Sequence, residues 1–269
     1  MYVFTKNSQV TSLTIPACLV FTDPIFIEDD YEELHIHIGN NAQVTIMDTA
    51  KSSKQIVFLH VATNATVIYS MKHHIGLSVE KLKNISIAAE VGARCAIVSS
   101  IDCFGIYNFT CTTTSIARQA QFFVGCTATV GGNGTCLQTI IQLHEYENAQ
   151  SESRVYAVVQ DSGFFESKGV IEVAKGGKGT ITSHKSHCLT IGAGAKAFAE
   201  PILKIIPFQV FCTHGAAVGP LDQAMLLYCA SRGIEQNLAQ IILQRAFLAQ
   251  ITDYCPLWAS KAIFESQKG

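Results

Sequence analysis

Short segments of the chain alternate apolar and polar residues, as in "LHIHIG", "ISIAAEV", "TCLQTIIQL" and "SRVYAVVQ". Side chains along a strand point to opposite faces in turn, so this two-residue period predicts strands with one buried face. Related strings punctuate the pattern: "NNAQVTIM" at 40–47, "TNATVIYS" at 63–70, "VGARCAIV" at 91–98, "RQAQFFVG" at 118–125, "ENAQSESR" at 147–154, "KGGKGTIT" at 175–182 and "GAGAKAFA" at 192–199. Each sets a turn residue or polar pair before Ala or Gly and then opens a new alternating run. The small residues are Ala42, Ala65, Ala93, Ala120, Ala149, Gly177 and Ala195, spaced by 23, 28, 27, 29, 28 and 18 residues. That is the length of one coil in a β-solenoid, where stacked coils bury an apolar row that no single coil can cover. A small residue at each corner lets the backbone turn without crowding the next coil. A β-sandwich is the alternative, but its strands recur every 8–12 residues or so and need no longer repeat.

The pattern changes at Pro220. "LDQAMLLYCASRGI" carries a helix start at Asp222 and a stop at Arg232-Gly233. "EQNLAQIILQRAFLAQIT" follows, with Leu238, Ile241, Ile242 and Leu248 on or near one helical stripe. Tyr254 to Pro256 breaks it, and a third short helix is expected to hold Leu257, Trp258 and Phe264. The prediction is a mainly β chain: a β-solenoid core over residues 1–219 and a small α-helical C-terminal region over 220–269. The helices serve as a cover for the open end of the solenoid, as a docking platform, or as both.

Composition narrows the classes. The chain has 269 residues, a net charge of −2 and only 15% charged residues, against about 25% in typical globular chains. No basic surface for nucleic acid is expected. The N-terminus "MYVFTKNSQV" has no basic and apolar leader, and no apolar run is long enough to cross a bilayer. The expectation is a cytoplasmic chain, off the membrane, with reduced thiols. Its ten cysteines include no CxxC pair, which excludes a zinc ribbon or a thioredoxin motif. Four Asn-x-Ser/Thr sequons, at Asn64, Asn84, Asn108 and Asn133, read as Asn in turns ahead of strands.

Nucleotide and hydrolase motifs are absent: there is no GxxxxGK[ST], HExxH, GxSxG or strand-linked GxGxxG. Carboxylates are too sparse for an acidic sugar-cleaving groove. In "HKSHC" (184–188), His184 and His187 face opposite ways on a strand and cannot chelate together. His35 and His37 share a strand face and read as a solvent-facing pair. His73 and His74 read as loop residues. Cys212 and His214, in "FCTHGAAVGPLD", also share a face. Two such ligands make an incomplete metal site, so any further ligands come from elsewhere, such as a partner chain.

The segment "EPILKIIPFQVFCTHGAAVGPLDQAMLLYCASRGI" (200–234) resembles the C-terminal region of the SufB/SufD family of iron–sulfur cluster assembly proteins. The shared features are a Pro-x-Leu-x-Ile strand, a Cys-Ser/Thr-His-Gly-Ala strand end, an acidic helix start and an Arg-Gly-Ile helix end. Two departures favour the SufD side: Ala195 stands where SufB carries a cysteine, and "CTHGAA" replaces SufB's Glu-His-Glu-Ala string. The family's paired aspartates are Phe208 and Gln209 here, and its "YLRSRG" is "YCASRG". The resemblance implies a right-handed parallel β-helix with a helical C-terminal region. It implies a scaffold rather than an enzyme, working with a SufB-like subunit and a SufC-like ATPase, with a homodimer when alone. It makes His214, and with less force Cys212, metal ligands for a transient iron or iron–sulfur cluster, with no cofactor held stably by the chain alone. It makes Asp222, Leu226, Tyr228, Ser231, Arg232, Gly233 and Ile234 partner-binding. A polysaccharide-processing β-helix enzyme and a structural relative without assembly activity are the alternatives.

Overall fold

The computed structural model describes residues 2–6 and 10–259. Its strands alternate between two sheets. One contains β1 (Val3–Lys6), β2 (Val10–Ile15), β4 (Glu33–Ile38), β6 (Lys54–Val61), β8 (Glu80–Ala89), β10 (Ile106–Ser115), β12 (Thr135–His144), β14 (Phe164–Val173) and β16 (Lys196–Ile205), in that order. The other contains β3 (Ile25–Ile27), β5 (Gln43–Asp48), β7 (Thr66–Ile75), β9 (Arg94–Cys103), β11 (Gln121–Val130), β13 (Gln150–Gln160), β15 (Ile181–Ile191) and β17 (Phe211–Pro220). Among the described strands only β1 runs antiparallel to its neighbour, and the other pairings are parallel. The chain is a β-solenoid, and the predicted fold class holds. No helix precedes Gln223 among the described residues.

The alternation produces the core. Strands such as β4, β8 and β10 bury every second residue, and the inward rows stack Leu13 on Ile36, Ile36 on Leu59 and Ile85 on Cys111. Each fully buried large aliphatic residue contributes about 1.5–3 kcal/mol, so the stacked rows supply most of the driving force. The first coils also bury a charged pair, Lys83 with Asp48, ringed by Tyr31, Tyr69 and Gln55. Burial alone would raise the Asp48 carboxyl, but Lys83 and the two tyrosines hold it below its usual range.

One corner column explains five of the predicted small residues. Asn41, Asn64, Gly92, Gln119, Asn148 and Gly179 adopt positive φ, between 56° and 71°. The residue after each is buried: Ala42, Ala65, Ala93, Ala120, Ala149 and Thr180. Their carbonyls accept bonds from the next coil, for example Thr66 N to Ala42 O at 2.8 Å and Phe211 N to Thr180 O at 2.9 Å. Gly177 and Ala195 therefore lie outside this column. The true sixth corner is Thr180, fully buried after the positive-φ Gly179. Ala195 sits at the opposite corner, beside Lys196, whose register partner is Phe164. The short final spacing of the repeat came from crossing between two corners.

Two smaller expectations also change. His73 and His74 lie within β7, with His73 buried against Tyr107 at a ring distance of 5.7 Å. Asn64 and Asn133 do occupy turns, whereas Asn84 and Asn108 lie inside β8 and β10.

The tail is helical where its caps predict. α1 (Gln223–Ser231) starts with the Asp222 carboxylate accepting the Ala224 amide at 2.8 Å, and it ends at Gly233 with φ 78°. α2 (Gln236–Ala249) runs into a 3-10 turn over Gln250–Tyr254. Leu257 and Trp258 lie in a turn rather than a third helix, and Phe264 lies outside the described residues. The tail packs on the outer face of β11 and β13. Phe247 meets Tyr156 edge-on at 5.3 Å, Arg154 stacks over Tyr254 at 4.3 Å, and Ile251 is buried beside Gly125. The described part of the tail does not close the open end of the solenoid.

Candidate functional site

The last strands form that open end. In β15 the inward residues Thr182, His184, Ser186 and Cys188 are buried. Their parallel partners on β17 are Cys212, His214, Ala216 and Val218. Paired residues in a parallel ladder project to the same side, so these four continue the interior stack by one step. Among the described residues no further coil lies above them, and the stack ends in contact with solvent. His214 is exposed and Cys212 is half-buried. The predicted pair does share one face. β16 adds Leu203 and Ile205 to the same end by the same logic, since they pair with Ile171 and Val173.

Beneath His214 the interior turns polar. His184 is its direct register partner and is buried, with Nδ1 2.7 Å from Ser153 Oγ. Ser153 donates to Gln142 Oε1 at 3.0 Å, and Gln142 Nε2 donates to Ser151 Oγ at 2.7 Å. Ser151 also meets His144 Nε2 at 2.8 Å and Thr182 Oγ1 at 2.6 Å. Gly169 makes this possible, because a Cβ there would collide with the His184 ring. Burial, with Arg154 and His214 nearby, pushes His184 down to about 4, so it is a neutral imidazole at neutral pH. Burial raises the Cys212 thiol, which disfavours the thiolate a metal requires.

His184 and His187 do point opposite ways: His187 lies on the outer face, its ring 5.3 Å from Tyr156. Reasoning along a single strand misses that the inward member, His184, meets His214 on the neighbouring strand. The signal lay in the polar residues at inward positions of "QSESR" and "ITSHKSH". Among the described residues no three His, Cys, Asp or Glu side chains converge as metal ligands. Cys212 and His214 are thus at most part of a site.

The other singled-out residues cluster on α1 and the turn after it. Asp222 caps the helix; Ser231 Oγ donates to Tyr228 O at 2.7 Å; Arg232 stacks over the Tyr228 ring at 5.1 Å; Ile234 N donates to Cys229 O at 3.0 Å. Asp222, Tyr228, Ser231, Arg232 and Gly233 are exposed, and Leu226 and Ile234 are half-buried. Most of their polar groups stabilise the helix and its ends.

The family described as "SUF system FeS cluster assembly, SufBD core domain" matches residues 27–247. The iron–sulfur cluster assembly protein SufD of Escherichia coli is 35% identical over 96 residues, 36% of this chain and 23% of that protein. SufD of Plasmodium berghei is 23% identical over 267 residues, 94% of this chain and 19% of that protein. SufD of Bacillus subtilis is 29% identical over 102 residues, 38% of this chain and 23% of that protein. The chain thus spans about a fifth of the length of these curated relatives. With the family match running from the third strand into the second helix, and with SufD as the shared name of these relatives, the chain belongs to the SufB/SufD family and is most like SufD.

Proposed function

We propose that the chain is a SufD-like scaffold of iron–sulfur cluster assembly, without turnover of its own. In this reading it pairs with a SufB-like subunit, recruits a SufC-like ATPase, and lends His214 to an iron or cluster site at the shared interface. The iron or cluster is cargo, held only in the complex. The observation that carries the reading is the family match over 27–247 together with the exposed inward-facing His214 at an unfinished solenoid end. An edge strand offers unpaired backbone groups and invites strand addition. β17 is such an edge, flanked by the exposed apolar Ile205, Ile206, Phe208 and Val218. A partner covering this end would exclude water from His214 and add the missing ligands. Gly215, Ala216 and Ala217 after it let a partner backbone approach closely.

The test compares two substitutions in the co-expressed complex. His214→Ala should preserve folding by circular dichroism and partner binding, yet cut iron and acid-labile sulfide several-fold. Cys212→Ser should lose less, because its thiol is half-buried and hard to ionise. Full cluster content in His214→Ala, with loss in Cys212→Ser, reverses the assignment. Full content in both makes the pair structural.

A further inference from the structure

We propose a second metal site on the outer face of the first coils, independent of His214: an exchangeable divalent transition-metal ion held by His37 and His60. The two residues are direct register partners on β4 and β6, and both project outward. Their rings are parallel within 4°, with centroids 4.9 Å apart. The two Nδ1 atoms lie 3.1 Å from each other. Two nitrogens bound to one ion at 2.0–2.1 Å, at a right or tetrahedral angle, stand about 2.9–3.4 Å apart. The pair already has that spacing.

A third residue sets the tautomer. Glu90 follows β8, and its Oε1 lies 3.2 Å from His60 Nε2. Its Oε2 is itself fixed, accepting from Thr63 N at 3.0 Å and Thr63 Oγ1 at 2.9 Å. Glu90 therefore accepts the Nε2 proton of His60 and leaves the Nδ1 lone pair facing His37. This is the outer carboxylate that orients a metal-bound imidazole. Without a metal, His37 Nδ1–H donates to His60 Nδ1. When an ion enters, the His37 proton moves to its Nε2 through solvent, which frees the Nδ1 lone pair for the metal. His35 is excluded from the pair: Glu33 holds its Nε2 at 2.6 Å and its ring packs on Phe58 at 4.9 Å. Two protein ligands leave the remaining positions to water, which makes the ion exchangeable. Imidazole selects zinc, copper, nickel or ferrous iron over magnesium or calcium.

The experiment titrates the full, tag-free chain with Ni²⁺ by calorimetry and with Cu²⁺ by electron paramagnetic resonance. We expect one Ni²⁺ equivalent that is lost in His37→Ala and in His60→Ala. It should weaken ten- to a hundred-fold in Glu90→Gln and stay unchanged in His35→Ala and His214→Ala. The Cu²⁺ spectrum of the unsubstituted chain should carry coupling to two ring nitrogens, which tests the site without relying on any variant folding. Unchanged Ni²⁺ stoichiometry in both His37→Ala and His60→Ala overturns the proposal, as does equal competition by Mg²⁺ or a Cu²⁺ spectrum lacking nitrogen coupling.

Discussion

Among the described residues three histidines are buried inside the solenoid, His73, His144 and His184, and their surroundings decide how the protein answers to acid. Burial, with Lys81 and Lys83 close by, pushes His73 down to about 3. Burial pushes His144 to about 4, and burial with Arg154 and His214 does the same for His184. An unfolded chain releases these protons near pH 6.5, so as pH falls below that value it binds protons that the folded state refuses. The folded pKa is lowered, so the neutral histidines cost nothing above pH 6.5 and destabilise progressively down to about 4. The slope is roughly 1.4 kcal/mol per pH unit for each such residue. Asp48 acts differently: its carboxyl is held low, so its contribution is present above the unfolded carboxylate value and lost only at still lower pH. The urea midpoint should therefore drop steeply between pH 6.5 and 4.5, before any carboxylate effect. His144→Gln keeps a polar partner for Ser151 and should flatten that slope by about a third. A midpoint independent of pH across this window would show that these rings are not held neutral.

At the scale of the element, the corner decides. Ala120 and its column mates are fully buried where the chain turns. Ala120→Leu forces methylenes against the coils on either side and should cost about 1–3 kcal/mol in chemical denaturation. The same change at Ala195, outside that column and only partly buried, should cost clearly less; equal losses would undo the corner assignment. The column also marks how far the sequence could be read. Alternation and five Ala corners were legible because strand period and corner size are local properties. Thr180 was not, since it does not belong to the small pair, Ala and Gly, that the repeat was tracked by. His73 and His74 looked like a loop because two adjacent polar residues break the alternation, yet one faces in and one faces out. The helix ends were legible from Asp222 and Gly233, whose roles are local too. The shared face of Cys212 and His214 followed from period two. The contacts around them did not, because His184 and His214 meet only through parallel register, as do His37 and His60.

Across the whole molecule, the open end and the tail occupy different surfaces, which in the reading proposed above separates two partner roles. The open end presents His214 and apolar edge residues of β16 and β17, while the helices lie on the outside of β11 and β13. The tail holds the solenoid through Phe247, Ile251 and Tyr254. It leaves Met225, Leu227 and Tyr228 of α1, and Leu238 and Ile241 of α2, exposed. Leu227 is 71% exposed, and the apolar stripe of α2 leaves Leu238, Ile241 and Ile242 exposed. A cluster of exposed apolar side chains favours protein binding, and in the reading proposed above this one on the helices docks the ATPase. Removing residues 222–269 should abolish co-purification of the ATPase, but it also strips Phe247 from Tyr156 and Ile251 from beside Gly125, so folding must be checked. The cleaner variant is Leu227→Asp with Ile241→Asp. Both sites are exposed, so the melting temperature should stay within a few degrees, in keeping with surface changes of about 0.5 kcal/mol or less. Phe247→Ala, which empties a packed contact, should lower it instead. The double variant should keep its SufB-like partner, since the open end is untouched, and lose most of the ATPase. Retention of the ATPase at the unsubstituted level, in a folded double variant, would rule out the helical face as its docking surface.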